Sequence, residues 1–205
     1  MAKLYYKFGA MGSSKTANAL MVKFNYEEKG SNVWLIKPST DNRDDYMDEE
    51  GNLISVIKSR IGLYAVANVV QKNDDIITLF CNQEKDGFGI DAIICDECQF
   101  LTECQVEQLK WIAEYQNIPV LCFGLRSDFQ TKMFPGSKRL FELADSISEI
   151  KSVCKCGKKA IVNARFNNQS EIITDGEQID IGGNEKYEGM CWKCWREAIS
   201  SKSKK

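Results

Sequence analysis

Residues 9–16 read Gly9-Ala10-Met11-Gly12-Ser13-Ser14-Lys15-Thr16, and this stretch decides the fold of the 205-residue chain. It follows the apolar run Leu4-Tyr5-Tyr6-Lys7-Phe8 and precedes a segment with helical spacing of apolar residues. A strand, a glycine-containing loop and a helix in this order are typical of a phosphate-binding loop. Backbone N–H groups of such a loop and the N-terminal end of its helix point at the bound anion.

Two side chains of this loop extend the prediction. Lys15 carries a positive charge to the outer phosphates, and the hydroxyl of Thr16 is a ligand for Mg²⁺. The loop departs from the usual pattern at Ser14, where a glycine ordinarily precedes the lysine. Serine is less tolerant than glycine of the backbone angles expected there. An ordinary glycine-containing turn between a strand and a helix is the alternative interpretation.

Composition narrows the function classes. The chain has 27 basic and 29 acidic residues, and this balance argues against a nucleic-acid partner. Apolar residues make up 43% of the sequence, enough for a real core, yet no apolar run approaches the length of a membrane span. We therefore expect no membrane partner and a cytoplasmic location. Histidine is absent, so a general base must be a carboxylate or another residue.

Strands and helices are expected to alternate along the chain. Apolar runs with turn residues between them predict an α/β fold of the P-loop NTPase type, with a mainly parallel sheet covered by helices on both faces. Residues 39–52 are polar and acidic and predict a solvated loop, and residues 54–70 show no clean period. The predicted helices begin near Lys15, Asp74, Thr102 and Ser137, and the predicted strands are 32–37, 92–95, 119–125 and 147–153.

An acidic pair, Asp96-Glu97, directly follows the apolar run Ala92-Ile93-Ile94-Cys95. At the carboxyl end of a parallel strand, the aspartate is suited to hold Mg²⁺ opposite Thr16, and the glutamate to accept a proton from the attacking oxygen. A solvated acidic turn is the alternative. Arg43, in the acidic loop, is the residue that we expect to stabilise transferred charge if it lies near the phosphates.

Four of the nine cysteines form two close pairs, Cys154-Lys155-Cys156 and Cys191-Trp192-Lys193-Cys194, separated by 34 residues. Four thiolates suit tetrahedral zinc, and a closed four-cysteine site is structural. Redox thiols or free cysteines are the alternative. The polar stretch between the pairs predicts a loop held at its base by the metal and acting as a substrate lid. We expect a nucleotide-binding domain at 1–150, a zinc and lid domain at 151–196, and a disordered tail at 197–205.

Together these residues resemble the zinc-containing thymidine kinase family of the cellular and bacterial type, also called type II. The resemblance covers nearly the whole chain and rests on motifs whose order and spacing are specific. They are Gly-Ala-Met-x-x-x-Lys-Thr at 9–16, Asp-Glu-x-Gln-Phe at 96–100, Gly-Leu-Arg-x-Asp-Phe at 124–129, Phe-Pro-Gly-Ser-Lys at 134–138, the four cysteines, and Ile-Gly-Gly-Asn-Glu-Lys-Tyr at 181–187.

The resemblance implies transfer of the γ-phosphoryl group of ATP to the 5′-hydroxyl of thymidine, with Glu97 as general base. It implies ATP and Mg²⁺ at residues 9–16, Asp96 and Gln99, and one structural zinc per chain at Cys154, Cys156, Cys191 and Cys194. A lasso loop at residues 167–189 is expected to enclose the base. The implied substrate residues are Met11, Phe100, Leu125, Phe129, Asn163, Arg165, Asp180, Ile181, Gly182 and Tyr187.

The resemblance also implies a homotetramer and feedback inhibition by dTTP. A phosphate-loop ATPase and a kinase of another deoxynucleoside are the competing enzymes. A water-using ATPase needs neither the lid nor the aromatic residues. A nucleic-acid-binding zinc module with a regulatory ATP site is the competitor from another class, and the sequence pI of about 5.4 counts against it.

Overall fold

A computed structural model of the chain describes residues 2–179 and 186–202. The elements of the described residues include one 3₁₀ turn, at Cys98–Phe100. In chain order the others are β1 Leu4–Phe8, α1 Lys15–Glu27, β2 Val33–Pro38, β3 Tyr46–Met47, β4 Leu53–Ile54, β5 Val56–Lys58, β6 Tyr64–Val66, β7 Asn68–Val70, α2 Ile76–Lys85, β8 Ala92–Cys95, α3 Glu103–Tyr115, β9 Val120–Gly124, α4 Pro135–Leu143, β10 Ser146–Glu149, β11 Ser152–Val153, β12 Lys159–Ala160, β13 Val162–Phe166, β14 Ile172–Ile173, β15 Tyr187–Met190 and α5 Trp192–Lys202.

A six-stranded sheet in the order β10-β1-β9-β8-β2-β7 forms the centre of the molecule. All of its neighbouring strands are parallel. Side chains alternate between the faces of a strand, so Trp34 and Ile36 of β2 join one buried cluster while Val33 and Leu35 join the other. Helices α2, α3 and α4 contribute to the first cluster and α1 to the second. The predicted α/β sheet with helices on both faces is confirmed.

The strand order brings two predicted motifs to one edge of the sheet. β1 and β8 both pair with β9, so the loop after β1 and the acidic pair after β8 emerge on either side of that strand. In parallel sheets the carboxyl ends of the strands form the ligand-binding edge. The topology therefore positions residues 9–16 and Asp96-Glu97 for a shared site.

The helix bounds follow local capping. The predicted capping box is present, because the Thr102 hydroxyl accepts the Gln105 N–H and the Gln105 side chain accepts the Thr102 N–H. α2 begins at Ile76 because the Asp75 carboxylate accepts the Thr78 N–H at 2.7 Å and so caps the helix.

Among the described residues, none of the helices has both the length and the apolar character needed to cross a membrane.

Three segments differ from the sequence expectation. The acidic stretch 39–52 is not wholly loop, since β3 pairs with β4 across it. Residues 54–70 form a β5–β6 hairpin and the sheet strand β7. The strand expected at 147–153 is divided: β10 pairs with β1, whereas β11 pairs with β12 in a separate hairpin.

The C-terminal segment forms a second, antiparallel sheet in the order β14-β13-β15. Its own small core contains Val162, Ala164, Ile172 and Trp195. Trp195 belongs to α5, which continues to Lys202 because Ala198 and Ile199 also pack on this core. Residues 197–202 of the expected disordered tail are therefore helical, and residues 203–205 lie outside the described residues. The domain boundary near residue 150 stays a prediction.

A buried ion pair holds the loop after β2 and the β5–β6 hairpin together. Lys37 is fully buried, and its Nζ contacts Asp45 Oδ1 at 2.5 Å and the Val56 carbonyl at 2.9 Å. Asp45 also accepts the Val56 N–H at 3.0 Å and the Ser55 hydroxyl at 3.1 Å. Burial acts to raise the pKa of Asp45, but the hydrogen bonds from Lys37 and Val56 outweigh it and lower that pKa.

We predict that Asp45→Asn lowers the free energy of unfolding by about 3–5 kcal/mol, because it leaves the Lys37 ammonium buried and uncompensated. Chemical denaturation at pH 7 measures the change. Asp44→Asn, at the neighbouring position but exposed, is the control, and we expect it to change the stability by less than about 1 kcal/mol. Equal, small losses for the two variants would contradict the role of the pair. The contribution of Asp45 should disappear as the pH falls through its lowered folded-state pKa.

Candidate active site

The phosphate loop turns sharply between β1 and α1. Gly12 has φ of 78°, and Ser14 adopts the left-handed conformation with φ of 60° and ψ of 31°. The Ser13 N–H donates to the Ala10 carbonyl at 3.2 Å and closes the turn. Lys15 folds over the loop, with its Nζ 3.0 Å from the same carbonyl. Ser14 thus adopts backbone angles that a glycine would adopt at little cost but that are unfavourable for a serine.

Asp96 lies buried at the end of β8, next to the phosphate loop. The Thr16 hydroxyl lies beside it and acts to lower its pKa, while its Oδ1 has no partner among the described residues. Burial and the adjacent Glu97 charge raise its pKa to about 7. A desolvated carboxylate oxygen without a donor, beside a threonine hydroxyl, is the type of oxygen site that fits Mg²⁺.

Glu97 follows in a left-handed conformation, with φ of 49°. Its Oε1 accepts from Arg43 Nη2 at 2.8 Å, and its other oxygen accepts from the Gln99 side chain. Arg43 is itself fixed by Asp41, with 2.6 Å between Nε and Oδ1. Burial acts to raise the pKa of Glu97, but the charges of Arg43 and Lys15 lower it below its usual value. The carboxylate is therefore ionised at neutral pH and able to accept a proton.

A polar pocket with about 1240 Å³ of empty volume lies over the phosphate loop. Its walls are the loop with the start of α1, the Arg43 segment and the tip of the β5–β6 hairpin. The lining residues include Met11, Gly12, Ser14, Lys15, Thr16, Arg43, Lys58, Arg60 and Glu97. Three lysine or arginine side chains besides Lys15 line it, so its charge suits a polyphosphate.

A second, more apolar cavity with about 570 Å³ of empty volume adjoins the first. Met11, Arg43 and Glu97 line both spaces, so the glutamate stands where the two cavities meet. A mainly apolar cavity with a few polar groups is typical of a small-molecule site. The other residues that line it are Thr40, Asp41, Gln99, Phe100, Leu125, Asp128, Phe129, Phe134, Asn163, Gln178, Ile179 and Tyr187.

Most of the predicted site residues lie at these two cavities. Gly9, Ala10 and Ser13 form the back of the phosphate loop, and a Cβ at Gly9 would lie 2.3 Å from Ser13 Oγ. Gln99, expected at the nucleotide, instead lines the apolar cavity, where its Oε1 accepts the Leu125 N–H at 2.9 Å. Asp180, Ile181 and Gly182 lie outside the described residues.

Arg165 lies behind the apolar cavity and does not line it. Its guanidinium carbon sits 3.9 Å from the centre of the Phe129 ring, a cation–π contact, and its Nη1 donates to the Glu177 carbonyl at 3.0 Å. Arg165 thus fixes both Phe129 and the backbone of the expected lasso at Glu177.

The role of the hairpin cations does not follow from the pattern of the sequence. Arg60 lies at the tip of the β5–β6 hairpin, and its Nη1 is 3.6 Å from the position of a Cβ on Gly12. Strands of three residues are too short to show a hydrophobic period. Gln178 was also not singled out within the expected lasso, although its amide donates to Asp128 Oδ2 at 2.8 Å. The available signal for Arg60 is the turn sequence Arg60-Ile61-Gly62 within the unpatterned segment 54–70.

The four paired cysteines converge in the C-terminal segment. Their Sγ atoms all lie within 4.8 Å of one another, with 3.6 Å between Cys156 and Cys191. Zinc bound tetrahedrally at about 2.3 Å requires sulfurs roughly 3.8 Å apart, so the cluster fits a structural zinc ion. Backbone N–H groups of Cys156 and Cys191 lower the pKa of the Cys154 thiol to about 7 and so favour the thiolate that zinc binds.

Comparison with known proteins gives one consistent family. The family model described as thymidine kinase matches residues 2–195. The chain is 40% identical to the thymidine kinase of Photorhabdus laumondii over 204 residues, covering 100% of this chain and 97% of the relative. It is 40% identical to that of Zymomonas mobilis, covering 98% of this chain and 100% of the relative. With that of Shewanella oneidensis it shares 38% identity over 97% and 99% of the two chains.

We predict about one zinc ion per purified chain, measured by elemental analysis, because one cluster of the described residues fits it. Cys154→Ser should lose most of the metal and melt at a lower temperature, since metal binding stabilises a segment with little core of its own. Cys81→Ser, an exposed cysteine on α2, is the matched control and should retain the metal. A wild-type chain that contains no zinc and melts at the same temperature as Cys154→Ser would contradict the assignment.

Proposed function

The chain belongs to the thymidine kinase family, and we propose that it transfers the γ-phosphoryl group of ATP to the 5′-hydroxyl of thymidine, giving dTMP. One observation carries this proposal: Glu97 lines both the polar pocket over the phosphate loop and the adjoining apolar cavity. A base at the junction of a phosphate site and a largely apolar cavity is placed to act on an acceptor held in the cavity.

At the phosphate side, Lys15 and the loop N–H groups would hold the triphosphate. Lys15 is buried beneath the polar pocket, where Asp96 and Glu97 counteract the effect of burial on its pKa. Thr16 and Asp96 would hold Mg²⁺, and the unpartnered Asp96 Oδ1 supports this role. The ion supplies neutralisation of charge on the phosphate oxygens.

At the acceptor, Glu97 would take the proton of the 5′-hydroxyl as the oxygen attacks the γ-phosphorus. Arg43 holds the pKa of Glu97 low and lines both cavities, so its guanidinium is also placed to stabilise negative charge on the transferred group. Arg43 contributes two hydrogen bonds, to Asp41 and to Glu97, which fix its plane. The loop 41–45 thus supplies the arginine, and the Lys37–Asp45 pair anchors it.

The apolar cavity would hold the thymine ring. Phe129, whose ring is fixed by Arg165, would stack on the base, and Met11, Leu125 and Tyr187 would surround its 5-methyl group. Phe100, in edge contact with Phe134, and Asn163 complete the described wall. The backbone around Asp180, Ile181 and Gly182 is proposed, from the family resemblance, to hydrogen-bond the thymine edge.

Further parts of the proposal concern regulation and assembly. dTTP would inhibit by feedback, because it carries the same base together with a triphosphate. A homotetramer is supported by large apolar side chains that remain exposed in the single chain. A cytoplasmic location stays a prediction. Six of these exposed apolar residues lie on α1 and the β5–β6 hairpin: Met21, Phe24, Ile61, Leu63, Tyr64 and Val66.

Product analysis with Mg-ATP and each deoxynucleoside in turn tests the proposal. We expect dTMP to form from thymidine, with much less product from the deoxynucleosides of adenine, guanine and cytosine, because the cavity excludes or fails to match their base edges. Preferred phosphorylation of another deoxynucleoside would overturn the substrate assignment while leaving a kinase.

We predict that Glu97→Gln lowers the turnover number by about 10²–10⁴-fold, the usual contribution of a general base. ATP binding should change little, since Glu97 accepts its hydrogen bonds from Arg43 and Gln99. Glu107→Gln, which removes a carboxylate paired with Arg139 on the surface, is the matched control and should keep the wild-type rate. Retention of most of the rate by Glu97→Gln would exclude Glu97 as the base.

A further inference from the structure

The phosphate loop is held from outside by the C-terminal sheet. The Met11 N–H donates to Asn163 Oδ1 at 2.7 Å, across 152 positions of sequence. The Asn163 amide is fixed in turn, because its Nδ2 donates to the Ser127 carbonyl at 2.7 Å. Asn163 is only 3% exposed, so water competes little for either bond. This N–H of the loop is therefore committed to a protein acceptor rather than to a phosphate.

A second contact reaches the other backbone polar group of Met11, its carbonyl oxygen. Gly189 of β15 is the register partner of Asn163 on β13. A Cβ built on Gly189 would lie 2.7 Å from the Met11 carbonyl oxygen, a separation that real Cβ atoms do not show. The absence of a side chain at Gly189 allows β15 to touch the loop backbone. We call the pair Asn163 and Gly189 the Met11 clamp.

Backbone strain in the phosphate loop explains why the loop needs contacts such as the Met11 clamp to hold its conformation. Ser14 holds a left-handed conformation, which is unfavourable for a residue other than glycine. Such a conformation persists only where the surrounding structure fixes it. Within residues 9–14, Ala10 also packs against Cys154, Ala160 and Cys191, so the C-terminal segment contacts the loop at consecutive residues.

We propose that Asn163 and Gly189 are positioning residues for ATP: by fixing Met11 they keep the following N–H groups and Lys15 arranged for the phosphates. Neither residue lines the polar pocket over the loop. Asn163 therefore has a role beyond the thymidine cavity that it lines, and affinity for ATP depends on a strand pair outside the nucleotide site. The inference rests on the proposed function in that ATP is the ligand of the loop.

The test is ATP binding by calorimetry in the absence of thymidine. Asn163→Leu removes the acceptor while keeping the branching and the number of side-chain heavy atoms, and we expect roughly tenfold weaker ATP binding, the equivalent of one net hydrogen bond near 1.4 kcal/mol. Asn68→Leu is the matched control, because it removes the amide that accepts from Trp34 Nε1 at 3.1 Å, remote from the loop, and should bind ATP like the wild type. A residue that contacts only thymidine would leave this affinity unchanged, so wild-type ATP affinity in Asn163→Leu overturns the proposal.

Two further measurements distinguish loss of the Met11 clamp from a folding defect in Asn163→Leu. Gly189→Ala changes β15, the strand paired with β13. It should also weaken ATP binding, because the new methyl group must displace the Met11 carbonyl. Hydrogen exchange of the Met11 N–H in the wild-type protein needs neither a variant nor nucleotide. We expect slow exchange, and exchange as fast as at a solvated loop amide would overturn the clamp. Failure of the wild-type protein to bind ATP at all would instead overturn the proposed function.

Discussion

The approach of the Thr16 hydroxyl to Asp96 is the contact on which the site depends, because it brings the loop after β1 to the acidic pair after β8 and acts to lower the pKa of the Asp96 carboxyl. The two motifs are 80 positions apart and meet only because β1 and β8 flank β9 in a parallel sheet. Burial of a carboxylate is unfavourable, and one Asp96 oxygen still lacks a partner among the described residues. The fold thus holds an oxygen ligand ready at the point where a nucleotide phosphate would bring its cation.

Two adjacent carboxylates acquire different properties from their surroundings. Asp96 is desolvated beside another negative charge, and its pKa rises to about 7. Glu97 faces Arg43 and Lys15, which outweigh burial and lower its pKa. A cation held at Asp96 would offset the cost of burying that carboxylate, whereas Glu97 is ionised at neutral pH and can accept a proton. Asp45 supports this arrangement from outside the site, because its ion pair with the buried Lys37 fixes the loop that carries Arg43.

Sequence reasoning captured what local pattern encodes. The loop at 9–16, the buried strands with their terminal acidic pair and the convergence of four cysteines follow from spacing and residue chemistry. It could not capture contacts between distant segments, such as Asn163 with Met11 or Arg60 with Gly12, because no local period records them. The short strands between residues 54 and 70 show no hydrophobic period from which they could be predicted. The end of α5 is helical because Trp195 packs against residues of other strands, and such a contact is not visible in the local sequence.

The central claim is that Glu97 acts on an acceptor hydroxyl held in the apolar cavity, and not on water. Rapid-quench measurement of ADP formation with 5′-deoxythymidine, which fills the cavity but lacks the acceptor hydroxyl, tests it most directly. With thymidine the account predicts one ADP for each dTMP, and with 5′-deoxythymidine ADP formation no faster than without nucleoside. ADP released with 5′-deoxythymidine at a rate near that with thymidine would show that water is the acceptor and would contradict the account.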